Sequence, residues 1–165
     1  MSAEKKRQAG ALGLIIGLVV VLFGGLLFMG AVSGWFDNSK VIPDSEYLCK
    51  DNCSGEYLEL SKEDYEKLIT DEKSFIVFID QGGCKTADAL RSFMTDFARS
   101  KGIKVYKMMF EDEKETSLHD TVKYYPSVVM ISKGKVVGYL RADSDEDAPA
   151  YNNYEDFEKW IRRYL

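Results

Sequence analysis

The sequence predicts an α/β domain with a mixed sheet flanked by helices, preceded by one N-terminal transmembrane helix. Three observations predict this class. Residues 8–36 contain no Asp, Glu, Lys or Arg. Beyond residue 56, short apolar runs alternate with amphipathic stretches, a pattern typical of parallel strands joined by helices. The last two apolar runs are separated only by a short turn, which predicts an antiparallel hairpin at one edge of the sheet.

The uncharged segment is longer than the ~20 residues that cross a bilayer as a helix, and it lacks the polar face of a soluble helix. We therefore predict a signal anchor, with a transmembrane helix over residues 9–36 after a cytoplasmic N-terminus of residues 1–8. The cations of Lys5–Arg7 precede the span and mostly acidic residues follow it, so the positive-inside rule places the C-terminal part outside the cytoplasm, in the cell envelope. Cleavage as a signal peptide near Ala31–Gly34 is the alternative, although the apolar core of such peptides is usually shorter.

Residues 37–55 form a polar extracytoplasmic stem, and residues 56–165 suffice for one domain. Beyond the cytoplasmic terminus the chain has 26 acidic and 19 basic residues, a net charge of −7. Nucleic acid is an unsuitable partner for such a surface because phosphates are bound by clustered Lys and Arg. Within the span, glycines four residues apart allow two helices to approach closely, which is compatible with a homodimer or with subunits of a membrane complex.

The first three elements of the domain are predicted from short-range patterns. "YLEL" (57–60) alternates as a strand does, and "SKEDYEKLI" (61–69) begins as a helix with Ser61 as its N-cap. "SFIVFID" (74–80) is nearly all apolar, which is typical of a strand covered on both faces. From residue 84 to residue 100 apolar side chains recur every three or four positions, which predicts an amphipathic helix ended by Gly102.

The later elements complete the order β-α-β-α-β-α-β-β-α. "IKVYKMMF" (103–110) is predicted to be a second buried strand, and residues 113–125 a helix that stops before proline. A hairpin is predicted around Lys133-Gly134, with strands over residues 127–131 and 136–140. The chain closes with an amphipathic helix over residues 153–165.

The three cysteines are divided between the stem and the domain. Cys49 and Cys53 are expected to form a disulfide outside the cytoplasm, and Cys84 is the thiol left over. An alternative hypothesis is that Cys49 or Cys53 resolves an adduct on Cys84. A zinc site would need two further ligands, and His119 is the only histidine, so we expect no metal and no other cofactor. His119 itself is expected on the surface of a helix. The acidic loop of residues 143–149 is expected to be solvated and not to bind calcium, because it lacks the central glycine of a calcium loop.

The domain resembles the thioredoxin superfamily over roughly residues 57–165. "IVFID" leads without a gap into Cys84 at the head of the long helix, as in thioredoxins. "KVYKMMFED" resembles the next strand and puts Lys107 where a lysine lies behind the active site. "YYPSVVMISKGKVV" resembles the segment that contains a cis-proline, here Pro126. The resemblance implies a nucleophilic Cys84, with Tyr125, Pro126 and Ser127 as the surface that aligns an extended client peptide.

The departures from the family pattern concern the catalytic motif. The second cysteine is replaced by Ala87, and the aromatic residue before the first cysteine is Gly83. A buried acid that helps proton transfer in thioredoxins corresponds to Phe78, and Asp80 lies nearby as a substitute or as a surface group. An alternative register equates Gln81 with the first cysteine and Cys84 with the second, at the cost of shifting the strand by three residues.

A thiol at a helix N-terminus has a lowered pKa, and Lys85 adds positive charge there. Cys84 is therefore expected to form mixed disulfides but not to release itself, because Ala87 has no sulfur. The sequence predicts monothiol exchange or thiol-dependent binding of extracytoplasmic clients. It leaves open whether the chain is an oxidoreductase or an inactive thioredoxin-fold scaffold. A third interpretation is a tethered subunit of a membrane complex.

Overall fold

The computed structural model describes Asp44, Gly55 and residues 57–165, all within one compact unit, Asn38–Leu165. The predicted cytoplasmic terminus and span lie outside the described residues, as does most of the stem with Cys49 and Cys53. No helix in the described part of the chain is both long and apolar enough to cross a bilayer.

The domain is built around a five-stranded sheet in the order β1-β3-β2-β4-β5. Strands β1 and β2 run parallel to β3, whereas β4 is antiparallel to β2, and β5 is antiparallel to β4. The predicted α/β class with a mixed sheet is therefore confirmed. The strands are β1 (Tyr57–Glu59), β2 (Phe75–Asp80), β3 (Val105–Met109), β4 (Ser127–Ser132) and β5 (Lys135–Tyr139).

In the described part of the chain, four α-helices and two short 3-10 helices surround the sheet. Ser61 caps the first helix, since its hydroxyl accepts a hydrogen bond from the Asp64 amide at 3.1 Å, as the sequence predicted. Gly102 ends the second helix in the left-handed region, with φ 64°. The α-helices are α1 (Lys62–Thr70), α2 (Lys85–Lys101), α3 (Phe110–Glu113) and α4 (Tyr154–Ile161), and the 3-10 helices are Ser117–Asp120 and Ala148–Tyr151.

Strand β2 lies at the centre of two apolar layers because every one of its side chains is buried. Ile76 and Phe78 face one cluster, which α2 and α4 complete. Phe75, Val77 and Ile79 face the other, which α1 and the segment after β3 complete. The continuous apolar run in the sequence follows from this two-sided burial.

The predicted helix over residues 113–125 is wrong. Only α3 and the first 3-10 helix form there, and the chain then runs without regular structure to Pro126. Thr116 explains the break, since its hydroxyl donates to the Glu113 carbonyl at 2.8 Å and accepts from the Leu118 amide at 3.2 Å. Such local side-chain bonds compete with the hydrogen bonds of a continuous helix.

Candidate functional site

Cys84 is the N-cap residue of α2 and carries a free, partly exposed thiol. The nearby backbone amides of Ala87 and, after it, Thr86 lower the pKa of the Cys84 thiol, and the Thr86 side chain adds to the effect. The unpaired amides of a first helical turn favour an anion in this way. Asp88 opposes the effect weakly with its negative charge. The N-terminal turn of α2 thus favours the thiolate form of Cys84.

The sheet register brings the cysteine loop and the proline segment to the same end of the domain. Ile79, near the end of β2, pairs with Ser127 at the start of β4. Cys84 therefore follows β2 at the end of the sheet where Pro126 enters β4. The Tyr125–Pro126 peptide bond is cis, in agreement with the resemblance.

The three residues predicted to align a client are placed very differently. Ser127 is fully buried, and its hydroxyl donates to the Leu140 carbonyl at 2.9 Å, away from any client. Pro126 is buried, and its carbonyl accepts from the Tyr151 hydroxyl at 2.9 Å. Tyr125 is half-buried, and no described residue engages its backbone N–H or C=O.

The Tyr125 side chain ends in a polar cluster that sequence reasoning missed. Its hydroxyl lies 2.9 Å from Oε1 of Glu113, a carboxylate with no exposed surface. His119 Nδ1 lies 3.2 Å from Oε2 of the same carboxylate. Burial, and then the Glu113 carboxylate, raises the pKa of Tyr125. Glu113 belongs to the acidic run "FEDEKE", which reads as solvated surface and carries no sign of this burial.

Of the three polar residues expected to support the thiol, Asp80 and Lys107 form ion pairs with other side chains. Asp80 accepts three hydrogen bonds from Arg91, at 2.9 to 3.2 Å. Lys107 pairs with Glu59 at 2.7 Å. Lys85 is exposed on the first turn of α2. Neither Asp80 nor Lys107 is among the groups that shift the pKa of the Cys84 thiol, which is lowered by the first turn of α2 itself, through the amides of Ala87 and Thr86 and the Thr86 side chain.

The two residues directly before Cys84 are glycines, Gly82 and Gly83. Gly83 has φ 74°, and a Cβ built on it would meet no atom within 4 Å. This is the position where the resemblance implies an aromatic residue. No aromatic side chain therefore covers the partly exposed Cys84 from that position.

Within the described residues, no three His, Cys, Asp or Glu side chains are grouped to hold a metal ion. The acidic loop is instead ion-paired. Asp143 accepts from Arg141 at 3.1 Å and from the Tyr124 hydroxyl at 2.6 Å, and Asp147 accepts from Arg163 at 2.8 Å.

The fold is similar to that of solved thioredoxins. A reduced thioredoxin pre-protein from Schistosoma mansoni matches with a TM-score of 0.51 and 18% identity, over 67% of this chain and 99% of that one. Another Schistosoma mansoni thioredoxin matches with a TM-score of 0.50 and 16% identity, over 68% and 98% of the two chains. A chain from a complex of ferredoxin:thioredoxin reductase with thioredoxin f2 matches with a TM-score of 0.50 and 14% identity, over 67% and 96%.

At these identities the likeness establishes a thioredoxin-like fold and nothing finer. No protein-family model matches the sequence, and no curated protein matches it.

Proposed function

We propose that this thioredoxin-like chain captures client proteins through a mixed disulfide with Cys84. One observation supports the proposal above all others. A free thiol with a lowered pKa caps α2, at the same end of the sheet as a segment whose Tyr125 backbone is unpaired among the described residues. Together these provide a nucleophile and an edge to which an extended peptide can hydrogen-bond.

The capture step is a thiol–disulfide exchange. The Cys84 thiolate attacks one sulfur of a client disulfide, the new bond joins Cys84 to that sulfur, and the second client sulfur leaves as a thiolate that takes a proton from water. Release needs another thiol, either a small-molecule thiol or the cysteine just freed on the client. That thiolate attacks the client sulfur of the adduct, so Cys84 leaves as a thiolate and is regenerated.

The pattern of retained and missing groups favours monothiol chemistry over an inactive scaffold. The first half-reaction needs only a stabilised thiolate and an aligned client, and Cys84 with the Tyr125 backbone supplies both. The second half-reaction of a dithiol enzyme needs a second thiol and a base to deprotonate it. Ala87 and Phe78 stand at those two positions. The two groups that this chain lacks, the second thiol and the base, are therefore needed only for the second half-reaction.

We further propose that residues 9–36 hold the domain on the outer side of the cytoplasmic membrane as a signal anchor. The uncharged run and its flanking charges support this. In cell fractions the full chain should resist extraction at alkaline pH, and protease added to spheroplasts should digest the domain. A domain that is protected until the cells are lysed would overturn this topology.

A trapping experiment tests the redox proposal. Wild type and Cys84→Ser are expressed at equal levels, cells are quenched with acid and alkylated, and adducts are compared on non-reducing gels. Adducts present in wild type and missing in Cys84→Ser support capture by the thiol. Identical adducts in both would reject it.

The alternative is a scaffold that binds through the same surface. It is favoured if Cys84→Ala leaves the cellular phenotype intact while changes at Tyr125 abolish it.

A further inference from the structure

Glu113 is an unusual residue to find without solvent contact. It ends α3, its side chain is fully buried, and a buried carboxylate is costly unless its oxygens are hydrogen-bonded. Both oxygens have partners, the Tyr125 hydroxyl at 2.9 Å and His119 Nδ1 at 3.2 Å. Packing alone would be served better by an apolar side chain of the same size. The buried carboxylate is therefore explained by the two side chains that it hydrogen-bonds.

The residue held most firmly by this cluster is Tyr125. The Tyr125 hydroxyl lies within hydrogen-bond distance of two acceptors, the Glu113 carboxylate and the Val122 carbonyl, the latter at 2.8 Å. The Tyr125 ring packs on the Phe110 ring, with the two centroids 4.4 Å apart. The Lys114 ammonium in turn lies over the Phe110 ring, 4.2 Å from its centroid. Both ends of the Tyr125 side chain are therefore fixed.

We infer that Glu113 is a positioning residue for client capture, because it anchors the Tyr125 side chain and so holds the Tyr125 backbone ready for an extended client peptide. This inference rests on the proposed function. A peptide that hydrogen-bonds to a backbone already in place loses less free energy to ordering than one that meets a mobile segment. Glu113 has no part in the sulfur chemistry itself.

Two reactions of Cys84 separate positioning from chemistry. The first probe is a ten-residue peptide with one cysteine, activated as its disulfide with thionitrobenzoate. The thiolate attacks the peptide sulfur, the peptide becomes bound to Cys84, and thionitrobenzoate leaves as a coloured thiolate because it is the better leaving group. The second probe is the symmetrical disulfide of thionitrobenzoate. It reports the reactivity of the thiol without any peptide to align.

The measured quantity is the ratio of the two rate constants for the full chain in detergent, after subtracting the rates of Cys84→Ser. In Tyr125→Phe, which keeps the ring and loses the hydroxyl, we expect this ratio to fall about tenfold, the effect of a hydrogen bond to a charged acceptor. In Glu113→Gln we expect a fall of about threefold, because a neutral acceptor holds the hydroxyl less strongly. The double variant should be no slower than Tyr125→Phe alone, since both changes break one contact.

Matched controls make the same chemical changes nearby. Tyr124→Phe removes the hydroxyl of the preceding residue, and Glu111→Gln neutralises an exposed carboxylate on the same turn. Both should keep the wild-type ratio.

The inference is overturned if Tyr125→Phe and Glu113→Gln keep the ratio within twofold of wild type. It is equally overturned if both rate constants fall together, which would mean a structural role only. Failure of the proposed function looks different, since Cys84→Ser would then form the same cellular adducts as wild type.

Discussion

Restoring a thiol at position 87 should convert a long-lived adduct into a short-lived one. The backbone amide of Ala87 is the group that lowers the pKa of Cys84 most, so a cysteine at 87 has its backbone close to the thiol that it must attack. In Ala87→Cys the new thiolate attacks the Cys84 sulfur of the adduct, an 84–87 disulfide forms, and the client leaves as a thiol. No outside thiol is needed.

The size of the effect follows from effective concentration. Wild type depends on an external thiol, here supplied at about 1 mM. A neighbouring thiol acts at about 1 M even if it is far less well oriented than the best intramolecular reactions, which reach ~10⁵ M or more. Adduct release should therefore be about a thousandfold faster in Ala87→Cys. Ala87 is fully buried, so the extra sulfur should cost about 1–3 kcal/mol of folding stability.

The assay follows the adduct between Cys84 and the activated peptide by acid quench and mass spectrometry. Ala98→Cys is the matched control, because Ala98 is also a buried alanine of α2 but lies about three turns further along. It should release the peptide no faster than wild type. An adduct in Ala87→Cys that lasts as long as in wild type, in protein that still forms the 84–87 disulfide with an oxidant, would refute the reasoning.

Three further predictions concern reactivity and stability. Because backbone amides lower the pKa of Cys84, its alkylation rate should rise with pH and level off at a lower pH than that of a free thiol; a plateau at the same pH or higher would contradict this. Arg91→Leu should lower the free energy of unfolding in urea by about 2–3 kcal/mol, because it leaves the buried Asp80 carboxylate unpaired; the figure allows for the partly exposed guanidinium. The double variant Asp80→Leu/Arg91→Leu should recover most of this loss. Equal losses in the single and the double variant would contradict the pairing. Gly134→Ala should lower the free energy of unfolding by more than ~1 kcal/mol, because φ is 70° and the new Cβ would strike the Ile69 carbonyl; an unchanged urea midpoint would contradict this.

The elements predicted best from the sequence are those whose signal and cause are both local or strongly periodic. Strand β2 follows from an apolar run that only two-sided burial explains, and α2 follows from its apolar spacing and from Gly102. The helix over residues 113–125 failed for an equally local reason. Thr116 offers its hydroxyl to backbone groups on both sides, and a count of helix-forming residues does not weigh that competition.

The candidate site was predictable where it depends on chain order and not where it depends on distant contacts. Cys84 at the head of α2 follows from the sequence alone. The burial of Ser127 does not, because its hydroxyl finds the Leu140 carbonyl at the end of β5. The burial of Glu113 was also hidden, because its partners are two residues that the failed helix prediction would have placed elsewhere.

The charged residues of the central strands are paired with side chains other than Cys84. Phe78 and Lys107 are register partners on β2 and β3. Because residue 78 is a phenylalanine, β2 offers no carboxylate at this position to Lys107, whose side chain is 23% exposed. Glu59, the register partner of Lys107 on β1, supplies the charge on the other side. Lys107 is paired with Glu59 and Asp80 with Arg91, and neither is among the groups that shift the pKa of Cys84, which the backbone amides of Ala87 and Thr86 and the Thr86 side chain lower.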